Sequence, residues 1–129
     1  MAGRILVADD NQDTVELLTF LLSASGWQVS GANTVAEAKA RIDAESFDLI
    51  ILDSWMPDGD GVEFCRELRT SRPQLAILFL SGAAFPADIS GATEAGCSAY
   101  LVKPCKVEEL TRVVDGLIGL GSHRHQVSH

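Results

Sequence analysis

The sequence lacks the features that direct proteins to membranes or to nucleic acids. None of the apolar runs in its 129 residues approaches the roughly 20 residues of a membrane-spanning helix. The formal net charge is −8 and no basic run appears, so we expect no direct binding to nucleic-acid phosphates. The first ten residues, MAGRILVADD, show no signal-peptide pattern, and we therefore expect a cytoplasmic protein.

Cysteine is scarce, and repeats, low-complexity segments and internal linkers are absent. Cys65, Cys97 and Cys105 are odd in number and show no C-x-x-C spacing, so we expect reduced, structural thiols. The chain has the length of one domain and is 47% hydrophobic, which predicts a single folded domain over residues 1–121. The histidines in the polar tail, residues 122–129, could bind a stray metal, but the composition favours a disordered tail.

The most informative stretch is residues 48–61, DLIILDSWMPDGDG. Its uniformly apolar run, residues 49–52, predicts a strand buried on both faces. The strand ends on Asp53, and the Pro57 and Gly59 that follow favour a turn. Asp53 is therefore predicted at the carboxyl end of a central strand, which is the edge where open parallel sheets bind ligands.

Five apolar runs of strand length alternate with five helical patterns along the chain. This alternation predicts an α/β fold with a doubly wound, five-stranded parallel sheet of the flavodoxin-like order 2-1-3-4-5 and helices on both faces. The fourth helix, residues 84–95, is the weakest because Ser90 and Gly91 are poor helix formers. The last helix is expected from about Val107 to Ile118, with Val107, Leu110, Val114 and Leu117 facing the core. The predicted strands are residues 4–8, 27–31, 49–52, 75–80 and 99–102.

Polar side chains follow four of these strands and should meet at one edge of the sheet. They are Asp9, Asp10, Asp53, Ser81 and Lys103. Three neighbouring carboxylates repel one another, and a hard divalent cation with few protein ligands, such as Mg²⁺, would relieve that repulsion. Lys103 and Ser81 could hold the oxygens of a phosphoryl group. An aspartate beside such a cation and a lysine can attack phosphorus, which would give an aspartyl phosphate.

At this point the motifs resemble those of a known family. The chain is similar, over about residues 4–119, to the receiver domain of response regulators in two-component phosphorelay signalling, including the chemotaxis regulators. The matching motifs are Asp9-Asp10, Asp53-x-x-Met56-Pro57 with Asp60-Gly61, Ser81-Gly82, Tyr100 and Lys103-Pro104.

The resemblance implies a role for each acidic residue and for one backbone carbonyl. Asp53 would be the phosphoacceptor. Asp10 would bind Mg²⁺ directly, Asp9 would bind it mainly through water, and the backbone carbonyl of Trp55 would be a further ligand. Such a domain is a signalling module that promotes its own phosphoryl transfer and the hydrolysis of its aspartyl phosphate, rather than an enzyme acting on a separate substrate.

The resemblance also implies a switch. Ser81 and Lys103 would hold the phosphoryl oxygens, and Tyr100 would turn inward when Ser81 moves toward the phosphoryl group. The less favoured alternative is that Tyr100 is an ordinary core or surface aromatic. The bond between Lys103 and Pro104 would be cis. Two departures from the family pattern, Cys105 in place of an aromatic residue and the irregular fourth helix, lie near the surface that such domains use to meet partners.

The implied phosphoryl donor is a histidine kinase or a histidine phosphotransfer domain, and the implied receiver of the signal is an output domain or protein. An alternative is a receiver-like interaction module that never uses phosphate, but the intact set of site residues argues against it. A Mg²⁺-dependent phosphatase would need a second acid at position 55, where the chain has Trp55. A flavin-binding protein would need a phosphate-cradling loop after the first strand, where the chain has DDNQD.

Overall fold

The computed structural model describes residues 3–119 as a five-stranded parallel sheet with helices on both faces. The strand order is β2-β1-β3-β6-β7, which among these five strands is the expected order 2-1-3-4-5. None of the helices in this part of the chain combines the length and apolar character that crossing a membrane requires. The predicted tail, residues 122–129, lies outside the described residues.

The strands of the structure are Arg4–Ala8 (β1), Gln28–Ala32 (β2), Leu49–Leu52 (β3), Trp55–Met56 (β4), Gly59–Asp60 (β5), Ala76–Ser81 (β6) and Ala99–Val102 (β7). The α-helices are Gln12–Ala24 (α1), Val35–Ala44 (α2), Gly61–Ser71 (α3), Pro86–Ala95 (α4) and Val107–Val114 (α5). Residues Asp115–Gly119 continue α5 as a π-helix.

The sheet divides the core into two layers because successive side chains of a strand point to opposite faces. In β1, Leu6 packs in the layer with α2, α3 and α4, whereas Ile5 and Val7 pack in the layer with α1 and α5. The central strands β1 and β3 are completely buried along their apolar runs. This burial fixes the edge at which the residues that follow those strands emerge.

Three helix starts and one helix end carry residue types that suit those positions. The side chain of Asn11 accepts hydrogen bonds from the first turn of α1, and Thr34 does the same for α2. Gly96 takes the left-handed conformation after α4, with φ of 105°, which glycine adopts without steric cost. Pro86 occupies the first turn of α4, where its missing N–H leaves no bond unmade.

Three expectations about the elements need correction. The last α-helix ends at Val114 rather than at Ile118, because the backbone widens into the π-helix where Gly116 and Gly119 weaken helix geometry. Val107, expected to face the core, is 44% exposed at the first position of α5. The boundaries of the second and fourth strands and the start of α4 differ from the expected ones by one or two residues.

The three cysteines are free thiols. Cys65 is buried under α4 and its Sγ lies 3.7 Å from the backbone oxygen of Ala95. Burial raises the pKa of Cys65 to about 11, so its thiolate is scarce at neutral pH. Cys65 thus serves as a small apolar core residue.

Candidate functional site

The structure brings the three predicted carboxylates together at the carboxyl edge of the sheet. Asp9 and Asp10 follow β1, Asp53 follows β3, and these strands are hydrogen-bonded neighbours. One oxygen from each carboxylate lies within 4.8 Å of the others. Asp9 is buried, Asp53 is half-buried and Asp10 is exposed, so the cluster opens to solvent on one side. Oxygen atoms so arranged fit a hard cation such as Mg²⁺.

Lys103 provides the positive charge in this cluster. Its Nζ lies 2.7 Å from Oδ2 of Asp9 and 3.7 Å from Oδ2 of Asp53. Burial lowers the pKa of Lys103, but the hydrogen bond to Asp9 and the charge of Asp53 outweigh burial, so the pKa of the lysine is raised overall. The amine is therefore an ammonium at neutral pH. The peptide bond between Lys103 and Pro104 is cis, as the resemblance implies.

The ionised form of Asp53 is electrostatically unfavourable in this cluster. Its burial raises its pKa, and the nearby charges of Asp9 and Asp10 raise it further. Lys103 and the backbone N–H of Ser54 act in the opposite direction but do not fully compensate. Ionised Asp53 therefore costs the folded state free energy, and a bound cation would recover it.

This imbalance predicts that Asp53→Asn is more stable than the wild-type chain at pH 7 without metal. Because the folded-state pKa of Asp53 lies above its unfolded value, its favourable contribution is present below the ordinary aspartate pKa and is lost as pH rises through the raised value. We expect the melting temperature to rise, at about 4 °C for each ~1 kcal/mol recovered. Adding Mg²⁺ should stabilise the wild type more than the variant.

The measurement is a thermal melt of both chains with and without Mg²⁺ at several pH values. Asp43→Asn is the control, since it removes the charge of an exposed carboxylate paired with Arg72 elsewhere. The stability difference between Asp53→Asn and wild type should narrow as pH falls to the ordinary aspartate range. A wild-type melt that Mg²⁺ leaves unchanged, together with a variant that is only destabilised, would contradict the site.

Ser81 and Tyr100 are linked through one backbone residue, Ala83. Ser81 ends β6 and is 1% exposed, and its Oγ accepts a hydrogen bond of 3.1 Å from the N–H of Ala83. The hydroxyl of Tyr100 donates a 2.6 Å bond to the carbonyl of the same residue, and its ring stacks on Phe79 at 5.6 Å. Lys103 also contacts Ser81, because its backbone N–H donates a 2.8 Å hydrogen bond to the carbonyl of Ser81.

The loop after Asp53 forms a structure that the sequence analysis missed. Trp55 pairs with Asp60, and Met56 pairs with Gly59, in the antiparallel hairpin β4–β5. The turn residues were recognised, but two-residue strands carry no periodic signal. The indole of Trp55 is 71% exposed.

The role of Gly61 is also not evident from the sequence pattern. A Cβ at this position would lie 2.1 Å from the backbone oxygen of Asp53, so only glycine allows the start of α3 to pack there. The N–H of Gly61 also donates a 2.7 Å bond to the carbonyl of Ser54. The Asp60-Gly61 pair of the motif is the one signal for this role in the sequence. The local pattern around the pair does not by itself show why glycine is required.

Comparison with known proteins identifies what this arrangement is similar to. The family model described as the response regulator receiver domain matches residues 5–115. The response regulator MprA of Mycobacterium bovis is 38% identical over 110 residues, which are 85% of this chain and 48% of that protein. The alkaline phosphatase synthesis transcriptional regulatory protein PhoP of Bacillus subtilis is 34% identical over 118 residues, covering 92% of this chain and 49% of that protein. The chain thus spans about half the length of the curated relatives it matches.

Solved structures agree with these relatives. A response regulator protein from Burkholderia pseudomallei, with a phosphorylated aspartic acid, a calcium ion and citrate, superposes with a TM-score of 0.81 and 30% identity. The match covers 89% of this chain and 66% of that one. These findings favour a phosphorylated domain over the phosphate-independent interaction module.

Proposed function

Because the chain belongs to the response-regulator receiver family, we propose that it accepts a phosphoryl group on Asp53 and thereby switches the binding of a partner. The observation that supports this proposal is the geometry of the cluster. Carboxylate oxygens of Asp53, Asp9 and Asp10 lie within 4.8 Å of one another. Oδ2 of Asp53 lies 3.7 Å from Nζ of Lys103. A carboxylate nucleophile, a cation site and a fixed positive charge are thereby held at one sheet edge.

The proposed cofactor is Mg²⁺, held by Asp9, Asp10, Asp53 and the backbone carbonyl of Trp55. The carboxylate oxygens of the cluster fit a hard cation. Burial, and after it the charges of Asp9 and Asp10, raise the pKa of Asp53, and a cation would offset this cost of ionising it. When bound, the ion supplies positive charge that favours the negative charge of the transition state.

The chain's own residues would carry out the transfer. One carboxylate oxygen of Asp53 forms a bond to phosphorus as the bond from phosphorus to the donor's leaving atom breaks, so the carboxylate becomes an acyl phosphate. Lys103 would move its ammonium from Asp9 toward the transferred oxygens, because charge-assisted hydrogen bonds to phosphoryl oxygens are strong. Ser81 would exchange its bond with Ala83 for one to a phosphoryl oxygen. The same groups would hold the acyl phosphate while water hydrolyses it.

The proposed donor is a histidine kinase or a histidine phosphotransfer domain, and the proposed target is an output domain or a separate protein. We assign the receiver domain to residues 1–121 and a polar tail to residues 122–129. The named relatives are about twice as long as this chain, which is consistent with an output domain in proteins of this type. The net charge of −8 supports the absence of direct nucleic-acid binding by this domain, and we propose a cytoplasmic location.

Acetyl phosphate tests this function without any knowledge of the natural donor. Incubated with acetyl phosphate and Mg²⁺, the chain should gain the mass of one phosphoryl group, and hydroxylamine should remove it because acyl phosphates react with strong nucleophiles. Intact-protein mass spectrometry measures both steps, with EDTA as the metal-free control. A phosphate-independent interaction module would stay unmodified, and a hydroxylamine-resistant adduct would place the phosphoryl group on another residue.

A further inference from the structure

The N-terminal end of α2 contacts both of the loops that carry the acidic cluster. We call residues 33–36 the α2 entry segment. Asp58 lies 23 residues after Val35, and its Oδ1 accepts a 2.8 Å hydrogen bond from the N–H of Val35. Its Oδ2 accepts a 3.0 Å bond from the N–H of Ala36. Both N–H groups belong to the first turn of α2, where helix geometry leaves them without intrahelical partners.

The other side of the α2 entry segment holds the loop after β1. The side-chain amide of Asn33 donates a 3.1 Å bond to the backbone oxygen of Asp9. The N–H of Asp9 donates a 3.0 Å bond to the carbonyl of Ala32. The backbone of Asp9 is therefore fixed at its N–H by the last residue of β2 and at its carbonyl by Asn33 of the α2 entry segment.

The hydrogen bonds that Asp58 accepts also hold the rest of the hairpin, because the hairpin is tightly packed. Asp58 lies between the paired strands β4 and β5, three residues after Trp55. A Cβ on the adjacent Gly59 would come within 3.2 Å of the Val35 side chain, so the hairpin and α2 are close-packed. The bonds from Val35 and Ala36 lower the pKa of Asp58, which keeps this acceptor ionised at neutral pH.

The start of α2 also has a local cap of its own, besides the bonds to Asp58. Thr34 already accepts a 3.0 Å bond from the N–H of Glu37, and the carboxylate of Glu37 accepts from the N–H of Asn33. This local cap pairs the N–H groups of Glu37 and Asn33, whereas those of Val35 and Ala36 bond to Asp58 from the hairpin. The additional bonds from Asp58 and Asn33 therefore connect separate loops, rather than only starting the helix.

We propose that Asp58 and Asn33 are positioning residues for cation binding, which hold the loop of Asp9 and Asp10 and the hairpin after Asp53 at a fixed separation through the α2 entry segment. Neither side chain is proposed to touch the cation. The inference rests on the proposed function, since it concerns the same Mg²⁺ site. It adds two residues, from outside the recognised motifs, that set the affinity of that site by fixing its geometry.

The test measures Mg²⁺ affinity by isothermal titration calorimetry on the full chain. We expect Asp58→Ala to weaken binding roughly 10-fold, the lower end of the range for residues that orient metal ligands. Asn33→Ala should weaken binding less, since it removes one bond. Asp58→Asn keeps one acceptor oxygen and should fall between wild type and Asp58→Ala. Circular dichroism below the melting temperature selects the variants that are folded.

Asp60→Asn is the matched control for charge. It removes one negative charge from the same hairpin, but asparagine still caps α3 through the bond that Asp60 accepts from Val62. We expect its Mg²⁺ affinity to stay within about twofold of wild type, since the charge of an exposed carboxylate is well screened. Equal losses in Asp58→Ala and Asp60→Asn would mean that charge alone acts, and the proposal would be wrong.

Two further outcomes separate this inference from the proposed function. If Asp58→Ala and Asp58→Asn lower the melting temperature but bind Mg²⁺ as the wild type does, Asp58 only stabilises the fold and the inference fails by itself. If the wild-type chain binds no Mg²⁺, the proposed function fails first. At saturating Mg²⁺, phosphorylation of Asp58→Ala by acetyl phosphate should approach the wild-type extent, because Asp53 and Lys103 are unchanged.

Discussion

Asp53→Asn is expected to abolish the hydroxylamine-sensitive phosphoryl adduct completely. The amide oxygen of asparagine is a poor nucleophile toward phosphorus, and no other carboxylate of the cluster has the same position. Asp9 is buried and already bound to Lys103 at 2.7 Å, while Asp10 is exposed on the open side. Mass spectrometry after incubation with acetyl phosphate and Mg²⁺ measures the loss, and peptide mapping of the wild-type adduct locates it.

Lys103→Ala is expected to slow the same reaction strongly without moving its site. A fixed donor aimed at developing negative charge contributes roughly 100-fold or more to the rate when its removal is measured in enzymes. Lys103 has the geometry for this role, since its ammonium lies between Asp9 and Asp53. Lys106→Ala is the matched control, because Lys106 is an exposed lysine just before α5.

These two substitutions have different contradicting outcomes. A persistent adduct in Asp53→Asn, mapped to a serine or a histidine, would overturn the assignment of the phosphoacceptor. A Lys103→Ala rate within about threefold of the Lys106→Ala rate, a difference of less than ~1 kcal/mol in the barrier, would mean that the lysine stabilises the resting cluster and not the transfer. In both cases a circular dichroism spectrum that matches the wild-type spectrum confirms that the variant is folded.

The second large effect is expected in hydrogen exchange when a phosphoryl mimic binds. With beryllofluoride and Mg²⁺, exchange should change in residues 83–96 and around Tyr100 far more than in α1 or α2. The hydroxyl groups of Ser81 and Tyr100 both bond to Ala83, so movement of Ser81 toward the mimic alters a contact at the start of this segment. Helix α4 buries only Ala92 and Ala95, and a helix with so few apolar contacts opens at low free-energy cost.

Ser81→Ala should uncouple this response from phosphorylation. The variant loses the hydroxyl that accepts from Ala83, so Asp53 should still accept a phosphoryl group, while the change at Tyr100 shrinks. Ser46→Ala, at an exposed serine before β3, is the control and should respond as the wild type does. Unchanged exchange in residues 83–96 of a wild-type chain that mass spectrometry shows to be phosphorylated would indicate a phosphoryl carrier that does not switch.

The sequence was sufficient to predict the sheet and the placement of polar residues at its edge, and the reason is local. Each buried strand is an uninterrupted apolar run, and the polar residue that ends it, such as Asp53 or Lys103, is adjacent in sequence. The parallel order then places these residues together at one edge. The structure confirms that Asp9, Asp10 and Asp53 meet, while their individual roles remain predictions.

The parts that sequence analysis missed depend on contacts between distant segments. Asn33 and Asp9 are separated by 24 residues, and Asp58 and Val35 by 23, so no periodic pattern reveals either pair. The hairpin after Asp53 has strands of two residues, too short for alternation to appear. Val107 was expected inward from its helical spacing with Leu110, but the first position of a helix can remain exposed even when the next turn is buried.

The direction in which the helices run has a consequence for the charge of the site. Each helix follows a parallel strand and returns across the sheet, so the helices begin at the edge that carries the three carboxylates. The backbone N–H groups at a helix start carry the positive end of its macrodipole, worth about 0.3–1 kcal/mol to a nearby anion. A phosphoryl group with its negative charge therefore arrives at an edge whose backbone is already positively polarised, which offsets part of the repulsion from Asp9 and Asp10 before any side chain moves.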